Sequence, residues 1–270
     1  MTSVKKQYIK EMKKRYGGYH ATWAPGVPLQ VGDIGTFDND GGFSKIANLA
    51  NLNIPFEICP DEAGDQLDYS SQGSSSVTAK LSGAVAPNGS VLAEGDAGII
   101  VEFSKTNSIL FKAKDVTYPS INNQIQLEKD IIELYKNGKW KKEWCVITEL
   151  AVAESATIII SNSANSRIEL KANANLEAAT INIADAAFNF SIQSARNLNT
   201  TIIAQGGVTP LFIAKKLNFK KGLFKPTTLA GFGIQRMYKT VDFGIKNDNS
   251  AKEEEIISLV FVPTQEEAED

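Results

Sequence analysis

Two long blocks of alternating, small and weakly charged residues, split by one strong helical pattern, dominate the middle of this chain. Residues 74–114 and 156–204 alternate apolar and polar side chains as β-strands do, and Ser, Thr, Asn, Gln or Ala fills many outward positions. A strand with one face in water usually has more Lys or Glu at those positions. Ribbons of this composition fit a folded sheet in water, and they equally fit hairpins that extend into a membrane.

The wider patterning predicts an α+β fold: a large twisted antiparallel β-sheet with two long amphipathic hairpins and a few packed helices. Helices are expected over residues 3–16 and 121–137, where Gly17 and Gly138 mark the ends. Short strands are expected within residues 28–37, 43–58 and 145–150. Thr106 and Asn107 are expected to form a turn between strands of the first block, and residues 156–204 to form an antiparallel meander.

Composition argues against several classes of function. The net charge of −3 does not favour a dedicated nucleic-acid binder. We find neither a signal-peptide pattern nor the roughly 18 consecutive apolar residues of a spanning helix, so a cytoplasmic protein is expected. The two cysteines, Cys59 and Cys145, are far apart without metal-ligand spacing, which suits a reducing compartment.

Catalytic chemistry is not indicated by any motif. The one histidine, His20, lies among aromatic residues, and no nucleophile elbow, phosphate-binding loop or zinc-protease motif occurs. The acidic segment 57–68 is expected to be a solvated loop, because it lacks the alternating ligand spacing and glycine position of a calcium loop. We therefore expect no catalytic residue, no metal and no cofactor. A hydrolase made of carboxylates that only the fold brings together remains a third alternative.

Charge is concentrated near both ends of the chain. Residues 5–15 contain six basic residues and one acidic, whereas residues 252–270 contain seven acidic and one basic. These ends could pair across the fold or could both be solvated. The basic first helix could pack its apolar stripe on the body or could lie on anionic lipid. A second basic stretch, with interleaved aromatic residues, spans residues 211–225.

The order of these elements resembles that of the pore-forming domain of gasdermins, and three short strings add to the resemblance. Residues 110–116, Leu-Phe-Lys-Ala-Lys-Asp-Val, resemble the strand that ends the family's first hairpin. Residues 144–150, Trp-Cys-Val-Ile-Thr-Glu-Leu, resemble the strand that leads into its second hairpin. Residues 23–34, which end in Gly-Asp-Ile, are similar to an early Trp/Pro segment of the family. The resemblance covers most of residues 5–245.

The resemblance implies an autoinhibited pore-forming protein of cell death or antiphage defence, similar to short-tailed bacterial members. Such a protein is cytoplasmic when inactive; an activating protease cuts it near the C-terminus, and it then binds an anionic lipid membrane and forms a homo-oligomeric β-barrel pore. Residues 1–245 would be the pore-forming domain, and residues 246–270 a linker with a short inhibitory segment. The implied lipid-binding residues are Lys5, Lys6, Lys10, Lys13, Lys14, Arg15, Lys215, Lys216, Lys220 and Lys221. The implied autoinhibitory residues are Ile256, Ile257, Leu259, Val260 and Phe261.

The chain also departs from the family. Residues 2–4 are Thr, Ser and Val, where bacterial members often have a lipidated cysteine, and we expect only residues 246–270 to serve in place of the family's large C-terminal inhibitory domain. Residues 256–262 could dock as an inhibitor, with a cleavage site in 246–252, or could be the last strand of the sheet. Glu169 and Lys171 fit a membrane strand only if their face lines the pore. The alternative function is a soluble β-rich binding or scaffold protein without membrane activity.

Overall fold

Two antiparallel sheets, with helices packed against them, form the part of the protein that the computed structural model describes: residues 3–23, 28–62, 64–71, 73–173, 182–220 and 256–261. The helices are α1 (Val4–Arg15), α2 (Gln124–Lys136) and α3 (Ala186–Asn189). Short 3-10 turns occupy Leu49–Leu52 and Ile183–Asp185. The predicted α+β class, with a strongly curled antiparallel sheet, is confirmed.

The larger sheet has ten strands. They are β1 (His20–Ala21), β2 (Asp33–Phe37), β3 (Phe43–Asn48), β4 (Ile58–Cys59), β5 (Asp65–Ser70), β8 (Ile109–Thr117), β9 (Ser120–Ile121), β10 (Cys145–Ser161), β13 (Leu198–Lys220) and β14 (Ile256–Phe261). The smaller sheet has four strands in the order β12-β11-β7-β6. These are β6 (Ser75–Lys80), β7 (Gly98–Phe103), β11 (Ser166–Ala172) and β12 (Phe190–Arg196).

Both predicted helices form, and local signals explain their ends. The Ser3 side chain caps α1 by accepting a hydrogen bond from the backbone N–H of Lys6 at 3.1 Å. Gly17 and Gly138 follow α1 and α2 with φ of 44° and 70°, a left-handed conformation that glycine adopts without steric cost. Each helix therefore stops where its glycine predicts.

Two long ribbons cross both sheets. Ribbon 1 consists of β5 and β6 on one arm and β7 and β8 on the other, because β5 pairs with β8 and β6 with β7. Ribbon 2 consists of β10 and β11 against β12 and β13, because β10 pairs with β13 and β11 with β12. The ribbons lie side by side in both sheets through the pairs β8–β10 and β7–β11.

All four arms pass from the larger to the smaller sheet at one line, which we call the crease: residues 71, 73–74, 104–108, 162–165 and 197. The turn predicted at Thr106 and Asn107 is present, but it joins strands of different sheets rather than the two strands of a hairpin. The predicted simple meander over residues 156–204 is wrong, because β10 pairs with β13 and encloses the β11–β12 pair. Folding each ribbon over buries the apolar face of the smaller sheet against Leu110 and Ile159 of the larger sheet. The acidic segment 57–68 is also not all loop, since it includes β4 and the start of β5.

The buried apolar side chains form three cores. The first core lies between α2 and the larger sheet and includes Ile131, Trp140 and Phe212. The second core lies under α1, where Tyr8 and Met12 pack among residues of β8 and β10. The third core lies between the two sheets; its members include Ile99, Val101, Phe103, Ile168, Leu170, Leu110 and Ile159. Alternation along β10 divides its far end between the second and third cores, so both faces of the strand are covered there.

Candidate functional site

The smaller sheet has one apolar face and one charged face. Val77, Val101 and Ile168 lie opposite one another in register on the inner face, and Val101 and Ile168 pack in the third core against the larger sheet. Strand alternation therefore puts the intervening residues on the outer face. Every charged residue of these four strands belongs to that outer face: Lys80, Glu102, Arg167, Glu169, Lys171 and Arg196.

A segment that we call the strap, residues 81–97 between β6 and β7, covers part of the charged face. The buried ammonium of Lys80 donates to the backbone carbonyls of Leu81, Glu94 and Asp96 at 3.3, 3.0 and 2.6 Å. Lys171 forms an ion pair with Asp96, with Nζ 2.7 Å from Oδ1. The strap is thus held by polar contacts to the smaller sheet, to which both of its ends also connect.

Glu169 lies fully buried beneath the strap. Its carboxylate accepts hydrogen bonds from Ser90 Oγ at 2.5 Å and from the backbone N–H of Val91 at 2.9 Å, and its Oε1 lies 2.9 Å from Arg167 Nε. Burial acts to raise the pKa of Glu169, but these hydrogen bonds and the charge of Arg167 outweigh it and lower the pKa below its ordinary value. The carboxylate is therefore ionised and serves as an anchor for the strap.

The tip of ribbon 2, residues 182–189, is fastened to the middle of β10. Ser155 Oγ donates to the carbonyl of Ala184 at 2.7 Å, and Thr157 Oγ1 donates to the carbonyl of Ile183 at 2.9 Å. Asp185 lies 3.0 Å from Lys114 Nζ, and their hydrogen bond and charge attraction raise the pKa of Lys114. Both hydroxyls are buried, so this fastening is polar in an otherwise apolar layer.

The first helix, α1, buries its apolar stripe on the body of the protein and presents a basic surface. Packing on the body was one of the two arrangements expected for this helix. Tyr8, Ile9 and Met12 are buried on the body. Lys6, Lys10, Lys14 and Arg15 are exposed, while Lys5 and Lys13 are half-buried. Lys5 forms an ion pair with Asp38 at 2.5 Å, so its charge is partly neutralised.

The second basic stretch behaves differently. Lys215 is only 7% exposed, and its Nζ donates to Gln124 Oε1 on α2 at 2.5 Å. Burial lowers its pKa, against the opposing charges of Glu128 and Glu149. In this folded state Lys215 is thus inaccessible to a lipid surface, because it shares a face of β13 with the core residue Leu217. Lys216 is half-buried, Lys220 ends β13, and Lys221 lies outside the described residues.

The segment containing the implied autoinhibitory residues is the edge strand β14. It pairs antiparallel with β13, and the register puts Leu259 opposite Leu217 and Phe261 opposite Lys215. It thus lies as a strand of the larger sheet, which was one of the two expected arrangements. Residues 246–255 and 262–270, which include the proposed cleavage site, lie outside the described residues.

The titratable groups most relevant to catalysis are used in packing. His20 is 6% exposed and packs beside the stacked rings of Phe37 and Phe212, with centroid distances of 4.7 and 5.6 Å. Cys145 is buried, and burial raises the pKa of its thiol to about 12, so it is a poor nucleophile. Among the described residues, no group of three or more His, Cys, Asp or Glu is arranged to hold a metal ion.

The feature that the sequence patterns did not predict is the crease. Its segments are rich in Ser, Asn and Gly, and such clusters usually indicate loops between separate strands. A polar cavity of about 610 Å³ opens beside it, lined among others by Ser74, Glu102, Arg167 and Arg196. The repeated signal, three short polar clusters and the single Asn197, each between two alternating blocks, could have indicated a common corner.

No protein-family model matches this sequence, and no similar curated protein was found either. Within the described ranges, no helix combines the length and the apolar character needed to cross a membrane.

Proposed function

We propose that this chain is an autoinhibited pore-forming protein of the gasdermin type, whose two folded-over ribbons unbend and join those of other copies in an anionic membrane. The observation that best supports this proposal is the segregation of charge in the smaller sheet. Its six charged residues share the outer face, and its inner face is apolar. In a straightened ribbon the inner face would contact lipid, and the charged face would line a water-filled pore.

The lengths of the arms fit the same proposal. They cover residues 65–80, 98–117, 145–172 and 190–220. Each is longer than the roughly 9–11 residues that a transmembrane β-strand needs. Closure of a barrel by several copies would satisfy the backbone hydrogen bonds of every arm. Val85 and Val91 of the strap are 90% and 56% exposed, which suits a ribbon tip that meets lipid first.

The exposed lysines of α1 are the proposed first contact with the membrane. Lys6, Lys10 and Lys14 are spaced four residues apart, so they form one stripe along the helix. Each lysine near an anionic surface contributes about 1 kcal/mol of attraction. In this proposal the protein is cytoplasmic until a protease cuts within residues 246–252 and frees β14 from the edge of β13.

Leakage from dye-loaded vesicles tests the proposal. A site for a specific protease is placed within residues 246–252, and intact and cut protein are added to anionic and neutral vesicles. The cut protein should release dye from anionic vesicles only, and the intact protein should release little. If the cut protein neither binds nor permeabilises anionic vesicles, the proposed function is wrong.

Two charge-reversal variants test whether binding depends on α1 in particular. Lys6→Glu, Lys10→Glu and Lys14→Glu together should abolish binding of the cut protein to anionic vesicles. The matched control is Lys129→Glu, Lys136→Glu and Lys139→Glu, which changes the same net charge at exposed positions on and beside α2. This control should weaken binding much less. An equal loss in both would mean that only net charge matters.

A soluble β-rich scaffold or binding protein is the second candidate, and one observation favours it. The central strands of the smaller sheet are covered on both faces: Ile100 and Val101 are 1% and 0% exposed, and Glu169 is fully buried. A fully buried strand pair suits a static two-layer sheet. This candidate predicts that cut and intact protein leave vesicles unchanged and remain monomeric.

A further inference from the structure

We propose that Gly73, Asn107, Asn165 and Asn197 form a hinge across all four arms, and that their left-handed backbone conformation holds the ribbons in the folded-over state. This inference deepens the proposed function, on which its role in regulation rests, by naming the residues that set the balance between bent and straight ribbons.

Each arm has one such residue at the point where it bends. The φ angles are 63° for Gly73, 57° for Asn107, 66° for Asn165 and 55° for Asn197. In the part of the chain that the structure describes, five non-glycine residues have positive φ, and three of them lie in the crease. The bend of all four arms therefore depends on the same unusual backbone conformation.

The residue types suit a hinge. Left-handed conformations are costly for most L-amino acids, and glycine and asparagine are the residues that adopt them most readily. A continuous strand needs φ near about −120° to −140° instead. Glycine and asparagine accept both conformations, whereas a β-branched residue strongly favours the strand. A valine at any of these positions would favour a straight arm.

Backbone hydrogen bonds couple the four bends. Ser104 N donates to the carbonyl of Ser74 at 2.9 Å, which joins the first two crease segments. Asn107 N donates to the carbonyl of Ser161 at 3.1 Å, and Asn165 N donates to that of Phe103 at 2.8 Å, which joins the second segment to the third. Asn162 N donates to the carbonyl of Asn197 at 2.8 Å and completes the line. One arm cannot straighten without breaking its bonds to the next, so the hinge moves as a unit.

Buried serines stabilise the crease locally. Ser74, Ser108, Ser161 and Ser166 are at most 4% exposed, and each hydroxyl donates to a carbonyl within the crease. Ser74 donates to the carbonyl of Ser71, Ser108 and Ser161 both donate to that of Lys105, and Ser166 donates to that of Ser163. All three acceptors belong to the crease. The polar groups of the crease are thus satisfied close to the hinge, while the third core holds the two sheets together by apolar contact.

Thiol labelling of the third core measures the opening of the hinge. Val101, in the middle of β7, is 0% exposed in the third core, so Val101→Cys introduces a probe thiol of similar size that reacts only when the sheets separate. Cys59→Ser removes the exposed native thiol, and Cys145, buried in the first core, reports global unfolding. The test variant adds Asn165→Val and Asn197→Val to the full chain.

The matched control adds Asn162→Val and Asn199→Val. These asparagines are exposed, lie in or beside the crease and lack positive φ, so composition changes equally without altering a left-handed position. The valine at 162 also retains the backbone N–H that donates to Asn197. The penalty of a left-handed valine corresponds to on the order of tenfold per site in the bent-to-straight ratio. We expect the probe thiol to react at least tenfold faster in the test variant than in the original chain, and at the original rate in the control. Because the same penalty also lowers the free energy of global unfolding, the diagnostic comparison is within one variant: the probe thiol should react much faster than Cys145.

The remaining outcomes overturn the inference. Equal acceleration in test and control variants, no acceleration, or a probe thiol that reacts no faster than Cys145 in the same variant would each show that these conformations do not set the bend. If the valine pair does not yield folded protein, Asn165→Ala and Asn197→Ala apply a weaker penalty, compared with Asn165→Gly and Asn197→Gly, which should keep the original rate. If the probe thiol of the test variant reacts faster but the cut variant releases no dye, the hinge is supported and the pore is rejected. If the cut original chain releases dye but the labelling rate of the test variant is unchanged, the hinge alone is rejected.

Discussion

The two ends of β10 lie in different surroundings. Near Cys145 the strand is covered by α2 and by a dense aromatic cluster, in which Phe212 stacks with Phe37 and His20. Near Ser161 it is covered by the smaller sheet, which is the continuation of the same ribbons. The first end is anchored by separate elements of the chain, whereas the second is covered by a part that can leave only if the ribbons unbend. One strand thus joins a region that is anchored by separate elements to a region that, in the proposed function, moves.

The largest effect is expected at the anchored end. Phe212→Ala should lower the free energy of unfolding by about 3–5 kcal/mol, because it leaves a cavity in the first core where the side chain is fully buried. Urea denaturation measures this loss. Ile192→Ala, at a 52% exposed position on the edge strand β12, is the control and should cost well under half as much. Similar losses in both variants would contradict the distinction between the two ends.

An intermediate effect is expected from the buried carboxylate that holds the strap. The pKa of Glu169 is lowered in the folded protein, so its contribution to stability is present above the unfolded value of about 4.3 and is lost as pH falls through the folded pKa. Glu169→Gln should therefore cost about 2 kcal/mol at pH 7 and progressively less in more acidic solution. Unfolding curves at several pH values measure the difference between variant and original chain.

Glu102 supplies the control for that prediction. It pairs with the same Arg167 at 3.1 Å, but its side chain is 49% exposed. Glu102→Gln should change stability by less than about 1 kcal/mol, because exposed ion pairs contribute little. If Glu169→Gln lowered the free energy of unfolding by the same amount at all pH values, the ionised carboxylate would not be the anchor of the strap.

The smallest effect is expected where the tip of ribbon 2 is fastened to β10. Thr157→Val keeps the side-chain shape but leaves the carbonyl of Ile183 without its 2.9 Å hydrogen bond, which should cost about 1–2 kcal/mol. Hydrogen exchange of residues 182–189 should accelerate. Thr157→Ser retains the hydroxyl and should preserve most of the protection. Unchanged exchange in the valine variant would mean that apolar packing alone holds the tip.

Local patterns in the sequence predict local structure well here. Helical spacing and a following glycine suffice for α1 and α2, and alternation finds the strands of both ribbons. Alternation identifies which residues share a face but not which strand is the partner, so the pairing of β10 with β13 and the crease were not predicted. Lys215 illustrates a signal that was present: it precedes Leu217 and Phe219 at strand spacing, and both pack in or against the first core.

The ion pairs of the charged face have a consequence for the response to salt. Arg167 with Glu102, Arg167 with Glu169, and Lys171 with Asp96 each join two groups of the smaller sheet and its strap. Because both members of every pair would travel together, electrolyte screening should affect the bent and straight forms almost equally. The attraction of α1 to a charged bilayer should instead weaken steeply with ionic strength. In the proposed function, salt would then act on where the protein docks, and on its internal geometry through the pair of Lys114 with Asp185, which joins the larger sheet to the tip of ribbon 2.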